Sequence, residues 1–333
     1  MHRPAAEPLD RLRSPRRDRL FDRIIAMNRR VFISRLAVGS AATAATVLLP
    51  RAEPAGAVSI DLSGVVEASD GFLNVRTGPS TARTLLESVP SGTRLALLQT
   101  SGDWFKVATG RSTGWAHSGS IVVSGPSALV LTYGIQTRPR VALTFDAGSD
   151  AGYTSQILDL LARYKVPSSF GLTGGWAQSY PDLVRRIANN GHQLINHTLN
   201  HISYTGYSTN GVPLSPAKRV SQLVANEEIL VRIAGAGAGA YWRPPYGDYD
   251  AATLHLAGGL KMSRCVMWAI DSLGWNGLSA SEVRDRVLSR IGNGAIVLFH
   301  VGSASQDANA LESIIRSLRA SGYQFGTVRQ TIH

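Results

Sequence analysis

Four apolar runs in this chain end in an ionisable residue: Leu143-Thr144-Phe145-Asp146, Leu194-Ile195-Asn196-His197, Trp268-Ala269-Ile270-Asp271 and Val297-Leu298-Phe299-His300. Carboxylates and imidazoles delivered in this way can give and take protons or bind a metal. One such ending alone reads as a turn, a cap or a hydrogen-bonded structural histidine. Four of them point to a shared rim. His197-Thr198-Leu199-Asn200-His201 adds a second imidazole. Its spacing of four predicts both rings on one face of a helical turn, within reach of one cation. Arg243-Pro244-Pro245-Tyr246-Gly247 is a stiff segment, because proline restricts its own backbone and that of the residue before it. Such a segment can hold a guanidinium against a carboxylate and aim the Tyr246 N–H at a developing oxyanion.

Positioning these groups requires strands. From residue 140 onward, strand-sized apolar runs at 140–145, 167–172, 192–196, 240–243, 264–270, 295–299 and 323–328 alternate with helix-period stretches. The clearest helical pattern is Leu311, Ile314, Ile315 and Leu318, and Ile157, Leu158 and Leu161 repeat it. The small-residue run 234–240 reads as a loop. This alternation predicts an α/β fold, a sheet or barrel of parallel strands joined by helices, with its chemistry at the C-terminal strand ends. The four ionisable endings fall there. Residues 64–123 differ, with short apolar stretches such as Phe72-Leu73-Asn74-Val75 and Trp104-Phe105-Lys106-Val107 between Gly, Ser and Thr clusters. They predict a small all-β barrel. The expected organisation is an N-terminal extension over 1–57, a β domain over 58–123, a linker over 124–139 and the α/β domain over 140–333. Turn signals at Ser124-Gly125-Pro126-Ser127 and Thr137-Arg138-Pro139 mark the linker.

A chain of 333 residues can bury cores for both domains. Of its net charge of +11, residues 1–57 carry eleven arginines against five acids. No basic stripe with interleaved aromatics runs through the body, so the expectation is no nucleic-acid partner. Cys265 stands alone in an apolar run, so no intrachain disulfide forms and the thiol reads as inert and buried. Arg29-Arg30-Val31-Phe32-Ile33, the apolar run 36–49 and Ala55-Gly56-Ala57 resemble a twin-arginine export signal cleaved after Ala57, with translation starting at Met27. The apolar run has fourteen residues, short of the roughly twenty that a span needs. An exported protein of the wall or exterior, without a stable membrane span, is expected.

Residues 140–333 resemble the NodB-type polysaccharide deacetylases, carbohydrate esterase family 4. Five motifs appear in order: T-F-D-A-G at Thr144 to Gly148, H-T-x-x-H at His197 to His201, R-P-P-Y at Arg243 to Tyr246, Asp271 to Trp275, and Leu298-Phe299-His300. The resemblance implies a distorted (β/α) barrel of about seven units. It also implies hydrolysis of N-acetyl groups on a glycan with a divalent metal, most often zinc, held by His197 and His201. Asp146 would be the general base, oriented by Arg243, and the Tyr246 N–H would steady the oxyanion. His300, supported by Asp271, would protonate the leaving amine, and Trp275 and Leu298 would line the acetyl pocket. Residues 60–123 resemble a bacterial SH3 domain through Leu73-Asn74-Val75-Arg76-Thr77-Gly78-Pro79-Ser80, Trp104-Phe105-Lys106-Val107 and Gly114-Trp115-Ala116-His117. Such modules often bind wall peptides, which turns the expected partner toward cell-wall polysaccharide, peptidoglycan before chitin-like glycan. As a tethered module it would raise the local substrate concentration. At least one of Trp104 and Trp115 is expected in its core.

One position departs from the family. The usual second aspartate of T-F-D-D-G, its third metal ligand, is Ala147 here. Asp150, on the same loop, is a reachable substitute ligand or else the cap of a helix starting near Thr154, and a water or Asp146 itself could also fill the place. Two rival readings accompany the leading one: a wall-binding protein with a decayed catalytic domain, and an amidase acting on a small molecule.

Overall fold

The structure is a computed structural model that describes residues 58–333, so the expected export signal and start site lie outside the described residues. Seven strands come first: β1 (Val58–Val66), β2 (Phe72–Arg76), β3 (Leu85–Pro90), β4 (Arg94–Ser101), β5 (Trp104–Ala108), β6 (Thr113–His117) and β7 (Ile121–Ser124). They pair antiparallel in the order β3-β2-β6-β5-β4-β1-β7. Alternate residues turn inward, Leu73 and Val75 on β2, Leu95 and Leu97 on β4, Phe105 and Val107 on β5. Trp115 belongs to this core, whereas Trp104 is half-buried and sets its ring edge-on to His117 at 5.4 Å.

The remaining chain alternates strand and helix. Its elements are β8 (Leu129–Leu131), β9 (Arg140–Ala147), α1 (Thr154–Arg163), β10 (Ser169–Leu172), α2 (Gly174–Ser179), α3 (Pro181–Asn189), β11 (Gln193–Asn196), α4 (Pro216–Ala234) and β12 (Tyr241–Trp242). After these come α5 (Ala251–Gly259), β13 (Arg264–Val266), β14 (Ile270–Asp271), α6 (Ala280–Arg290), β15 (Ile296–His300), α7 (Asp307–Ala320), β16 (Gln324–Phe325) and α8 (Val328–Thr331). Parallel strands run β14-β15-β9-β10-β11-β12-β13-β8, with β16 on the start of β9. The path is open between β14 and β8, the distorted barrel that the motifs imply. The single run expected over 264–270 is two strands, β13 and β14. A second correction concerns the linker. Residues 129–131, expected within it, form β8 and pair in parallel with β13.

Period-2 alternation separates two faces of the central strands. Val141, Leu143 and Phe145 of β9 and Val297 and Phe299 of β15 lie in the apolar layer under the helices. The helical pattern Leu311, Ile314, Ile315 and Leu318 is buried in that layer as well. The intervening residues face the barrel interior. There Ala142 and Ile296 belong to an apolar floor with Ile195, Tyr241 and Val266. Thr144 and Leu298 come next, and Asp146 and His300 stand at the rim.

The antiparallel barrel is not a tethered module. Leu62, Val66, Leu97 and Ile121 share one continuous apolar cluster with Val220 and Leu223 of α4, Leu256 of α5 and Trp242. Lys218 on α4 also pairs with Asp103 at 2.8 Å. The connecting chain lies against α5, where a Cβ on Gly258 would come 1.7 Å from the Pro126 carbonyl oxygen. Only glycine permits that approach. Cys265 is buried in the same cluster, and burial pushes its thiol up to about 12, so it is protonated and inert.

Candidate active site

Asp146, next to last in β9, has His300 of β15 and Gly171 of β10 as its register partners. A Cβ on Gly171 would sit 2.2 Å from Asp146 Oδ1, so the carboxylate occupies space that only a glycine leaves. Arg243, fully buried, meets that carboxylate with Nη1 donating to Oδ1 at 2.6 Å. Its Nε donates to the Val266 carbonyl at 2.9 Å and its Nη2 to Thr144 Oγ1 at 2.9 Å. The Thr144 hydroxyl in turn donates to the Val297 carbonyl at 2.8 Å. Burial alone would raise the Asp146 pKa, but the Arg243 charge, with His197 and His300 behind it, holds it below the usual carboxylate range. The group is an ionised base in a dry setting.

The two histidines are not on a helical turn. Thr198 and His201 both adopt left-handed backbone, φ 66° and 58°, which folds the segment into a tight loop. Helix α4 supplies the hydrogen bonds that hold it. Asn196 Oδ1 accepts from Thr198 N at 3.0 Å, while the Asn196 amide donates to Leu223 O and Glu227 Oε2. Asn226 donates to Asn196 Oδ1 at 2.9 Å, and Gln222 accepts from Asn200 N. His197 Nδ1 lies 3.0 Å from the Arg243 carbonyl oxygen, so it carries the proton and leaves an Nε2 lone pair 3.4 Å from Asp146 Oδ2. The rings of His197 and His201 cross at 76° with centroids 4.8 Å apart. Burial lowers both pKa values, that of His201 to about 3, which keeps the imidazoles neutral, the form that binds a cation.

As a metal centre this donor set is short of the three protein ligands usual in catalytic zinc sites. Ala147 is fully buried in the apolar layer. The Asp150 carboxylate is occupied, accepting from Ser303 N at 2.9 Å and from the Ser303 hydroxyl. The expected Asp150 cap is not formed, because the residue before α1 is Tyr153 and it makes no side-chain cap bond. Among the described residues no group of three His, Cys, Asp or Glu side chains is arranged around a metal position. What the residues present offer a cation is the two neighbouring imidazoles of His197 and His201.

Across the rim, His300 is 29% exposed and Trp275 stands edge-on to it at 6.1 Å. Leu298 lies buried below His300 on the same face. Trp275 is itself partly exposed, as an acetyl-pocket wall would be. Tyr246 holds a left-handed conformation, φ 60° and ψ 7°, and its half-exposed ring packs edge-on to His201 at 4.6 Å. The strained turn is latched by Asp248, which accepts from the Ser203 and Thr205 hydroxyls and from Thr205 N. Asp271 is not placed as expected. Its Oδ1 accepts from Leu273 N at 2.9 Å and Trp275 Nε1 at 3.2 Å, so it fixes the tryptophan loop. The carboxylate at His300 is instead Asp307, whose Oδ2 accepts from His300 N at 2.7 Å and lies 3.9 Å from His300 Nδ1. Sequence reasoning missed it, because an acid at the start of α7 looks like an ordinary favourable charge in a first helical turn.

The geometry has counterparts in known proteins. A family model described as polysaccharide deacetylase matches residues 134–264, and one described as bacterial SH3 domain matches residues 71–122. A peptidoglycan-N-acetylglucosamine deacetylase of Bacillus cereus is 33% identical over 217 residues, covering 64% of this chain and 72% of that protein. A chitooligosaccharide deacetylase of Rhizobium leguminosarum bv. trifolii is 31% identical, over 57% of this chain and 90% of that protein. Among solved structures, the Bc1960 peptidoglycan N-acetylglucosamine deacetylase superposes with a TM-score of 0.56 at 33% identity, covering 62% of this chain and 92% of that one. With motif order, barrel topology and these relatives in agreement, the chain belongs to the polysaccharide deacetylase family and carries a bacterial SH3 domain ahead of its catalytic barrel.

Proposed function

We propose that the protein hydrolyses N-acetyl groups on cell-wall glycan, with peptidoglycan N-acetylglucosamine as first substrate and chitin-like oligomers second. The observation that carries the reading is the pairing of Asp146 and His300 as register neighbours on one inward face, the first ionised against Arg243 and the second beside Trp275. In this mechanism Asp146 takes a proton from the attacking water, and Arg243 keeps its carboxylate aimed and charged. The Tyr246 N–H receives the oxyanion. His300 then gives a proton to the departing sugar amine. The acetyl methyl sits against Leu298 and Trp275. His197 and His201 are the residues that would hold a divalent cation such as zinc, whose chemistry there is polarisation of the acetamide carbonyl.

The likeness to a peptidoglycan deacetylase supports the wall substrate. The pattern of residues 29–57 supports action outside the membrane after export by the twin-arginine route. No helix among the described residues is long and apolar enough to cross a membrane. Ala147 favours one rival, a wall-binding protein without catalysis. Acetate release from purified peptidoglycan and from chitooligosaccharides, with and without chelator, separates the two. Release that chelator abolishes is the expected outcome; no release from either substrate in the presence of added zinc overturns the proposal.

A further inference from the structure

We propose that Asp307 is the positioning residue for His300, holding the imidazole with Nδ1 protonated so that Nε2 faces the substrate. The proposal rests on the deacetylase reading for its catalytic meaning, but its geometry stands apart from that reading. Asp307 is completely buried, and its Oδ2 is tied to the backbone of the residue it would orient, accepting from His300 N at 2.7 Å. The same oxygen is the acceptor nearest the ring, 3.9 Å from Nδ1. His300 Nδ1 is itself buried and has no hydrogen-bond partner. A ring movement of about 1 Å closes this gap to hydrogen-bond length.

The surroundings are shaped for a carboxylate at this point. A Cβ on Gly274 would lie 2.3 Å from Asp307 Oδ1, so the loop bearing Trp275 closes over the acid only because residue 274 lacks a side chain. The hydroxyls of Ser272 and Ser305 flank the carboxylate. Asp271 is engaged instead with Leu273 N and Trp275 Nε1. The other charged or titratable groups facing His300 are Asp146, His197 and His201 across the rim, with the Trp275 ring on its open side. Burial raises the Asp307 pKa, so its ionised form gains most from a cationic neighbour, which His300 becomes whenever both ring nitrogens carry protons. A buried carboxylate that fixes an imidazole tautomer in this way lets the other nitrogen deliver its proton without reorientation.

The test combines ring-nitrogen NMR of His300 with steady-state kinetics on the full chain. In the wild type the Nδ1 resonance should be that of a protonated nitrogen in the neutral ring, whether or not acetate is released. Asp307→Asn should shift that resonance and reduce kcat about 100-fold with KM changed about 2-fold or less. Asp271→Ala should instead raise KM, since it removes the acceptor that Leu273 N and Trp275 Nε1 share. An unprotonated Nδ1 in the neutral wild-type ring overturns the proposal, as does an Asp307→Asn protein with wild-type kcat. Failure of acetate release in the wild type strikes the deacetylase reading, while the Nδ1 resonance still decides the role of Asp307.

Discussion

The two halves of the site are built differently. On the base side, Arg243 commits its Nε, Nη1 and Nη2 donors to Val266, Asp146 and Thr144, and Gly171 clears the space in which the carboxylate sits. On the acid side, the His300 ring has a buried nitrogen without a partner and a carboxylate just beyond hydrogen-bond reach. The base is therefore set before substrate arrives, whereas the acid has a short movement left to make. The difference suits the order of the chemistry, in which proton removal from water precedes proton delivery to the amine.

The comparison breaks most visibly at Arg243. Replacing it by Met leaves Asp146 buried without its counter-charge, which costs about 3–5 kcal/mol of stability. Urea unfolding should show that loss together with loss of activity. Gly171→Ala should cost less, about 1–3 kcal/mol, because a Cβ at 2.2 Å must displace the carboxylate. Its signature should be a fall in kcat that exceeds any change in KM.

The smallest effect is in pH, where the two carboxylates have opposite signs. The Asp146 pKa is depressed in the fold, so its contribution to stability is present above the unfolded value of 3.8 and is lost as pH falls through the folded one. The Asp307 pKa is raised, so its contribution is present below 3.8 and is lost as pH rises through the folded value. Relative to wild type, Asp307→Asn should therefore gain stability between pH 4 and pH 7, and Asp146→Asn should lose it as the pH is raised from 3 to 5. Denaturant midpoints at these pH values check both signs.

The strands were legible because their apolar runs are long enough to fill one layer and end abruptly in Asp or His. Phe145 and Phe299 bury on one face while Asp146 and His300 share the other, as period-2 alternation requires. The loops were less legible. Thr198 and His201 adopt left-handed backbone that no residue type there demands, so spacing alone suggests a helical turn. Asp150 and Asp307 are both acids near helix starts, and only the folded chain shows one tied to Ser303 and the other beneath Gly274. Docking of the SH3 domain had one signal. Helix α4 is apolar along its length, with Val220 and Leu223 of its first half in the cluster shared with the β-barrel and Ile229 and Leu230 of its second half in the layer under the parallel sheet. The same helix holds the histidine loop through Gln222 and Asn226, so the small domain braces the site.

The central claim is that a preset base and a facing acid act on one acetamide. Acetate release from N-acetylglucosamine oligomers by wild type, Asp146→Asn and His300→Ala tests it most directly. The account predicts release by the wild type and a loss of about 10²–10⁴-fold in kcat for each variant. Wild-type rates in either variant would contradict it.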